Sequence, residues 1–202
     1  MIKNIIFDMA WVLFSYEPLE FTKRFVSDDK DANLINDIVF CSAEWELTDR
    51  GKLSDEEYLK IVLNRLPKRL HKTARYLFEH WHEQLKPDGN MEKLISVIKS
   101  HGYKLYLLTN MSGRFYTFYK SIPAVKYFDG VVVSADEHCV KPEAKIYNAL
   151  FKKFGLKPEE CFFIDDRHEN IETGEKLGMR GFCYKQDIGG LKSALKAAGV
   201  PV

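Results

Sequence analysis

Five short stretches of the chain are apolar almost without interruption: Ile5-Ile6-Phe7, Lys104-Leu105-Tyr106-Leu107-Leu108, Val131-Val132-Val133, Cys161-Phe162-Phe163-Ile164 and Gly181-Phe182-Cys183-Tyr184. They are rich in β-branched and aromatic residues and do not alternate with polar ones. That is the pattern of a strand covered on both faces, as in a parallel sheet. Between them, apolar positions recur at helical spacing over 91–100, 143–154, 170–177 and 191–198. Gly102, Gly155 and Gly178 stand just past helix ends, where a left-handed residue closes the last turn. Strand alternating with helix predicts an α/β fold built on a doubly wound, Rossmann-like parallel sheet.

Residues 16–86 read differently. Helical patterns cover 18–26, 32–40, 55–66 and 71–84, and no convincing strand interrupts them. Ser54 followed by Glu57 predicts a capping box at the start of the third helix. Because the segment falls between the first and second strands of the sheet, it is expected to be an inserted helical cap. Residues 1–15 and 87–202 are then the core domain.

Composition narrows the choices. The 202 residues are 46% hydrophobic and 29% charged, ordinary for a globular protein that buries a core. A formal charge of +1 gives no electrostatic case for nucleic acid or an anionic membrane. Cys41, Cys139, Cys161 and Cys183 lie far apart without metal-ligand spacing, so they read as reduced thiols in or near the core. The apolar start of the chain is broken by Asp8, with no small-residue cleavage site, and no later apolar run would cross a bilayer. These features predict a soluble, cytoplasmic protein, a monomer or homodimer.

Ligands of open parallel sheets bind outside the carboxyl ends of the strands. The residues that end the predicted strands are Asp8, then Thr109 and Asn110, then Lys141 after a loop, then the pair Asp165 and Asp166. Three carboxylates on one rim repel one another and call for a cation, and an oxygen-only site suits Mg²⁺. Thr109 can donate its hydroxyl and backbone N–H to a phosphoryl oxygen. Lys141 offers a compact positive charge to a phosphate and a nucleophile.

The stretches Phe7-Asp8-Met9-Ala10-Trp11-Val12-Leu13, Leu107-Leu108-Thr109-Asn110, Val140-Lys141-Pro142-Glu143 and Phe163-Ile164-Asp165-Asp166 resemble the four motifs of the haloacid dehalogenase superfamily, in order. Arg50-Gly51-Lys52-Leu53-Ser54-Asp55-Glu56 and Asp166-Arg167-His168-Glu169-Asn170-Ile171 resemble the branch of bacterial α-glucose-1-phosphatases and the phosphatase domain of soluble epoxide hydrolase. The resemblance implies a Mg²⁺-dependent phosphatase for a small phosphorylated substrate, sugar phosphates first. It implies Asp8 as nucleophile, with Thr109 and Lys141 catalytic and Thr109, Asn110 and Lys141 holding the phosphate. It also implies metal ligation by Asp8, the Ala10 carbonyl and Asp166, with Asp165 as a supporting or alternate ligand.

Two residues depart from that pattern. Many phosphatases of the superfamily carry a second Asp two residues after the nucleophile as general acid and base, a function worth about 10²- to 10⁴-fold in rate. Here that position is Ala10, and Trp11 stands where a small residue is usual. Glu44, Glu46 and His138 are substitutes by residue type alone.

Each residue also has a plainer reading. Asp8 could cap a helix or turn, Asp165 and Asp166 could be a solvated pair, and Thr109 and Lys141 could be ordinary loop-end residues. Asn170 could cap a helix, Arg50-Gly51 could be a tight turn, and Trp45, Tyr58, Phe78 and Trp81 are expected as cap core rather than a substrate platform. A weak binding or regulatory protein, motivated by Ala10 and Trp11, and a metal-independent dehalogenase are the competing functions; hydrolysis of p-nitrophenyl phosphate with and without Mg²⁺ separates all three.

Overall fold

A computed structural model describes residues 1–202. In chain order the strands are β1 (Asn4–Phe7), β2 (Phe14–Ser15), β3 (Lys86–Pro87), β4 (Lys104–Thr109), β5 (Gly130–Val133), β6 (Cys161–Asp165) and β7 (Arg180–Cys183). All except β2 and β3 join one parallel sheet of order β5-β4-β1-β6-β7. The chain winds outward in both directions from β1, which makes β1 and its two neighbours the centre of the sheet. Phe7 pairs with Leu107 on one side and Ile164 on the other, so Asp8 emerges level with Asp165.

Helices α1 (Pro18–Lys23), α2 (Asp29–Ile35), α3 (Ala43–Asp49), α4 (Asp55–Arg65) and α5 (His71–His80) lie between β2 and β3. They are followed by α6 (Gly89–Ser100), α7 (Phe115–Phe118), α8 (Ser134–Glu137), α9 (Ala144–Phe154), α10 (His168–Lys176) and α11 (Ile188–Ala197). No helix is long and apolar enough to cross a membrane.

Strand side chains alternate between the two faces, and each face has its own layer. Ile5, Leu105, Leu107, Phe162 and Ile164 pack with Leu94 and Ile98 of α6 and Leu191 and Leu195 of α11. Ile6, Leu108, Val132 and Phe163 pack with Ile146 and Leu150 of α9 and Ile171 of α10. The first cluster runs on without a break into Phe21, Tyr58, Val62 and Phe78 of the helical segment. A shared core of this kind leaves no independent linker between the two parts.

The segment departs from its sequence pattern in three places. The second helix starts earlier, at Asp29, because the Asp28 carboxylate caps it by accepting from the Asp31 N–H, and it ends in a π-helical turn over Asn36–Phe40. Helix α3 has no apolar repeat long enough to announce it. The two crossings between segment and sheet, β2 and β3, pair antiparallel through only Phe14–Pro87 and Ser15–Lys86, too few residues to show a strand period. The predicted capping box is present, with Ser54 and Glu57 each accepting from the other's backbone N–H.

The turn from α3 to α4 docks against α8. Gly51 sits at φ +60°, and a Cβ there would lie 2.4 Å from the Ala135 carbonyl oxygen. Gly51→Ala therefore meets both left-handed strain and a backbone clash. Urea denaturation should show a loss of about 1–3 kcal/mol. An unchanged midpoint would mean that the turn and α8 are not held this closely in solution.

Candidate active site

The register of the central strands brings the rim residues together. Asp8 leaves β1 with its N–H donated to the Ile164 carbonyl at 2.8 Å, and Asp165 closes β6 beside it. Lys141 arrives from the loop after α8, and Asn110 at the end of β4 fixes that loop. The Asn110 amide donates to the Lys141 carbonyl at 2.9 Å and its side-chain oxygen accepts from the Lys141 N–H at 2.8 Å. Asn110 thus acts on the site by positioning Lys141.

The Lys141 ammonium lies 2.7 Å from Asp8 Oδ1 and 2.7 Å from Asp165 Oδ2. Its side chain is 1% exposed and Asp165 is fully buried. The other Asp165 oxygen accepts from the Arg167 N–H at 2.8 Å and from Asn170 Nδ2 at 2.9 Å. Asn170 therefore supports the acidic pair and does not cap α10, whose N-cap residue is Arg167. Asp166, half-buried, faces the open space.

Electrostatics follow from this crowding. Burial and the neighbouring Asp165 charge push Asp8 up to about 7 against the pull of Lys141. Burial alone would lower Lys141, but the two carboxylates hold its ammonium above the ordinary value. Burial and the Asp165 charge also raise Asp166.

The residues fit a hard divalent cation. One carboxylate oxygen from each of Asp8, Asp165 and Asp166 falls within 4.8 Å of the others. The ammonium pairs with two of these acids and leaves Asp166 without a cationic partner. No backbone N–H donates to the Ala10 carbonyl in the adjoining turn. Nearby, the Thr109 hydroxyl is buried with no hydrogen-bond partner, an arrangement that invites an oxygen ligand.

A cavity of about 690 Å³ lies between this rim and the helical segment. Asp8, Ala10 and Asp166 line it from below, and Trp45, Glu46, Asp49 and Arg50 from α3 and its end. Arg50 is more than a turn residue: its guanidinium pairs with Glu46 at 2.7 Å and with Glu143 at 2.5 Å, tying α3 to the loop that carries Lys141. Of the four aromatic residues read as cap core, Tyr58, Phe78 and Trp81 are buried, whereas Trp45 reaches the cavity.

The candidates for a missing acid divide similarly. Glu44 is bound to Arg65 outside the cavity, and exposed His138 meets the Arg50 carbonyl at 3.1 Å, also outside it. Glu46 lines the cavity, and so does Asp49, which the sequence reading passed over. Burial, with a smaller contribution from the Glu46 charge, pushes Asp49 up to about 7. Asp49 ends a short helix with no motif around it, so only its half-buried place on the cavity wall marks it.

A family model for haloacid dehalogenase-like hydrolases matches residues 45–183. The chain belongs to this family. The hydrolase is 28% identical over 180 residues to a sesquiterpene phosphatase of Aspergillus oryzae, covering 89% of this chain and 88% of the relative. It is 27% identical over 195 residues to a D-ribitol-5-phosphate phosphatase of Bacteroides thetaiotaomicron, covering 90% and 91%. A haloacid dehalogenase-family enzyme of Bacteroides thetaiotaomicron, solved in complex with magnesium and inorganic phosphate, superposes with a TM-score of 0.70 at 22% identity, covering 95% of this chain and 99% of that one. At that identity the likeness speaks for the fold.

Asp49 generates a prediction about stability. A carboxyl raised in the folded state binds its proton more tightly there than in the unfolded chain. Stability is then full near pH 4 and falls as pH rises towards 7. Asp49→Asn removes the charge that burial disfavours, so it should stabilise the hydrolase by about 1–3 kcal/mol at pH 8 and have little effect near pH 4. Thermal melts across that range check the sign; a gain at pH 4 that disappears at pH 8 would contradict it.

Proposed function

We propose that this hydrolase is a Mg²⁺-dependent phosphatase that acts on a small phosphorylated metabolite and uses Asp8 as its nucleophile. The observation that carries the reading is the Lys141 ammonium held 2.7 Å from both Asp8 and Asp165, with Asp166 beside them at the floor of the cavity. The phosphatase names of the relatives support the same reaction. Those names span a sesquiterpene and a sugar alcohol phosphate, so the sugar-phosphate preference implied by the family branch is one of two substrate types to weigh.

In the first step an Asp8 carboxylate oxygen bonds to phosphorus while the ester P–O bond breaks, and the departing alcohol takes up a proton. In the second, water bonds to phosphorus and gives a proton to the Asp49 carboxylate left by the first step, the bond between phosphorus and Asp8 breaks, and inorganic phosphate leaves with the Asp8 carboxylate restored. Lys141 orients Asp8 and attracts the phosphate. Thr109 donates its unpartnered hydroxyl to a phosphoryl oxygen, with Asn110 holding the Lys141 loop in register. Asp8, Asp166 and the Ala10 carbonyl would hold Mg²⁺, with Asp165 supporting, and the bound ion supplies charge that screens the meeting of anionic nucleophile and anionic substrate. Residues 16–86 act as the cap that covers this reaction. Asp49, whose carboxyl is pushed up to about 7, gives the alcohol its proton in place of the acid that Ala10 lacks.

Hydrolysis of p-nitrophenyl phosphate tests the reading, because its leaving group hardly needs protonation. Activity should require Mg²⁺, and Asp8→Asn should lower it to below about a thousandth of wild type. Asp166→Ala should weaken Mg²⁺ binding more than Asp165→Ala does. Full activity in excess EDTA, or in Asp8→Asn, would defeat the mechanism.

Asp49→Asn separates the proton donor from the nucleophile. It should slow simple alkyl phosphates by about 10²-fold while leaving p-nitrophenyl phosphate within a few-fold. Equal slowing of both esters would assign Asp49 a structural role.

A further inference from the structure

A second chamber of about 300 Å³ opens off the cavity that holds Asp8. The two share Ala10, Trp11, Phe40, Trp45 and Asn110, which places the second directly beside the chamber where a phosphate would reach Asp8. Eight of its ten wall residues are hydrophobic and none is charged, in contrast to the acidic and basic lining around Asp8. Four rings packed against one another form one continuous stretch of its wall. Tyr16 lies 6.1 Å from Phe40, Phe40 5.9 Å from Trp45, Trp45 6.2 Å from Trp81, and Trp81 5.0 Å from Tyr16, centroid to centroid.

The chemistry of this box disfavours a polyol. Each hydroxyl of a sugar needs a partner when it leaves water, and unpaired hydroxyls strongly disfavour binding. The wall's own polar atoms are too few to serve them. Tyr16 Oη and Trp81 Nε1 are buried and unpartnered, and burial pushes the Tyr16 phenol far above its ordinary value. At the junction of the two chambers, Ala10 presents only a methyl group. Trp11 adds its indole at the same threshold.

We propose that the four-ring box receives the alcohol portion of the substrate, and that this alcohol is an apolar hydrocarbon rather than a sugar. The inference rests on the phosphatase reading for the reaction but not for the binding. It stands as the alternative to the sugar-phosphate preference implied by the family branch.

The test uses two phosphate esters of primary alcohols, so that leaving-group acidity is matched: citronellyl phosphate and glucose 6-phosphate. Wild-type enzyme with Mg²⁺ should show kcat/KM at least about tenfold higher for the citronellyl ester, mainly through KM. Trp45→Ala should erase most of that advantage. Because Trp45 also packs within the aromatic cluster, a second measurement avoids mutation: n-octylphosphonate should bind wild type at least about tenfold more tightly than methylphosphonate by calorimetry. Equal kcat/KM for the two esters, or equal binding of the two phosphonates, overturns the proposal. If octylphosphonate binds tightly while no ester, p-nitrophenyl phosphate included, is hydrolysed, the box stands and the phosphatase reading falls.

Discussion

Everything at the rim depends on one buried ammonium. Three carboxylates gathered within 4.8 Å would repel one another strongly away from bulk water, by several kcal/mol per pair at an effective dielectric of about 20. Lys141 offsets two of those charges at once by standing 2.7 Å from Asp8 and from Asp165. An isolated lysine could not be buried this completely, and neither could Asp165, so each makes the other possible. The remaining carboxylate, Asp166, is left facing the cavity, where a divalent cation would complete the balance. The geometry is inherited from the sheet. Asp8 and Asp165 are level because β1 and β6 pair in register, and Lys141 reaches them because both polar ends of the Asn110 side chain hold its backbone.

Above that polar floor, the turn after Asp8 sets the character of the walls. Trp11 occupies a left-handed conformation at φ +60°, which costs a non-glycine residue about 1–2 kcal/mol. Its N–H is donated to the Phe14 carbonyl at 2.7 Å, and the Leu13 N–H to the Met9 carbonyl at 2.8 Å, so the turn is locked before the chain enters β2. The strained position aims an indole at the boundary between a charged chamber and an aromatic one. Ala10 and Trp11, which read in sequence as losses from a family pattern, become in three dimensions part of a continuous apolar surface. The carboxyl that could replace the missing acid comes from the opposite side, from Asp49 at the end of α3.

The sheet and its rim were legible because buried parallel strands are written as local apolar runs. All five runs became the five strands of the main sheet, and the chemistry-bearing residues sit at their carboxyl ends, where topology requires them to converge. Gly102, Gly155 and Gly178 take the positive φ that their positions after helices called for. The helical character of residues 16–86 and the Ser54 capping box followed from the same local rules. Of the thiols, Cys139 and Cys161 are buried and Cys183 half-buried as expected, while Cys41 is exposed; all four are free.

What stayed hidden was whatever depends on contacts between distant parts of the chain. The ribbon of β2 and β3 is two residues wide on each side, and α3 is a single short helix, so neither carries a period. Glu44, Glu46 and Asp49 are all acidic residues within one helix, and folding alone decides that Glu44 meets Arg65 away from the cavity while half-buried Asp49 lines it. Asn170 and Asn110 each had a generic local role in sequence, and only tertiary packing revealed their partners, Asp165 and the Lys141 backbone. The aromatic box is the clearest case. Tyr16, Phe40, Trp45 and Trp81 come from four separate turns of the chain, and nothing local relates them. The sequence by itself determined the strands, the helices and the carboxylates at the strand ends, because periodicity and backbone preference act over a few residues. The tertiary structure decided which charges are buried together and which rings enclose a space, because burial and cavity shape arise only when the helical segment closes over the sheet.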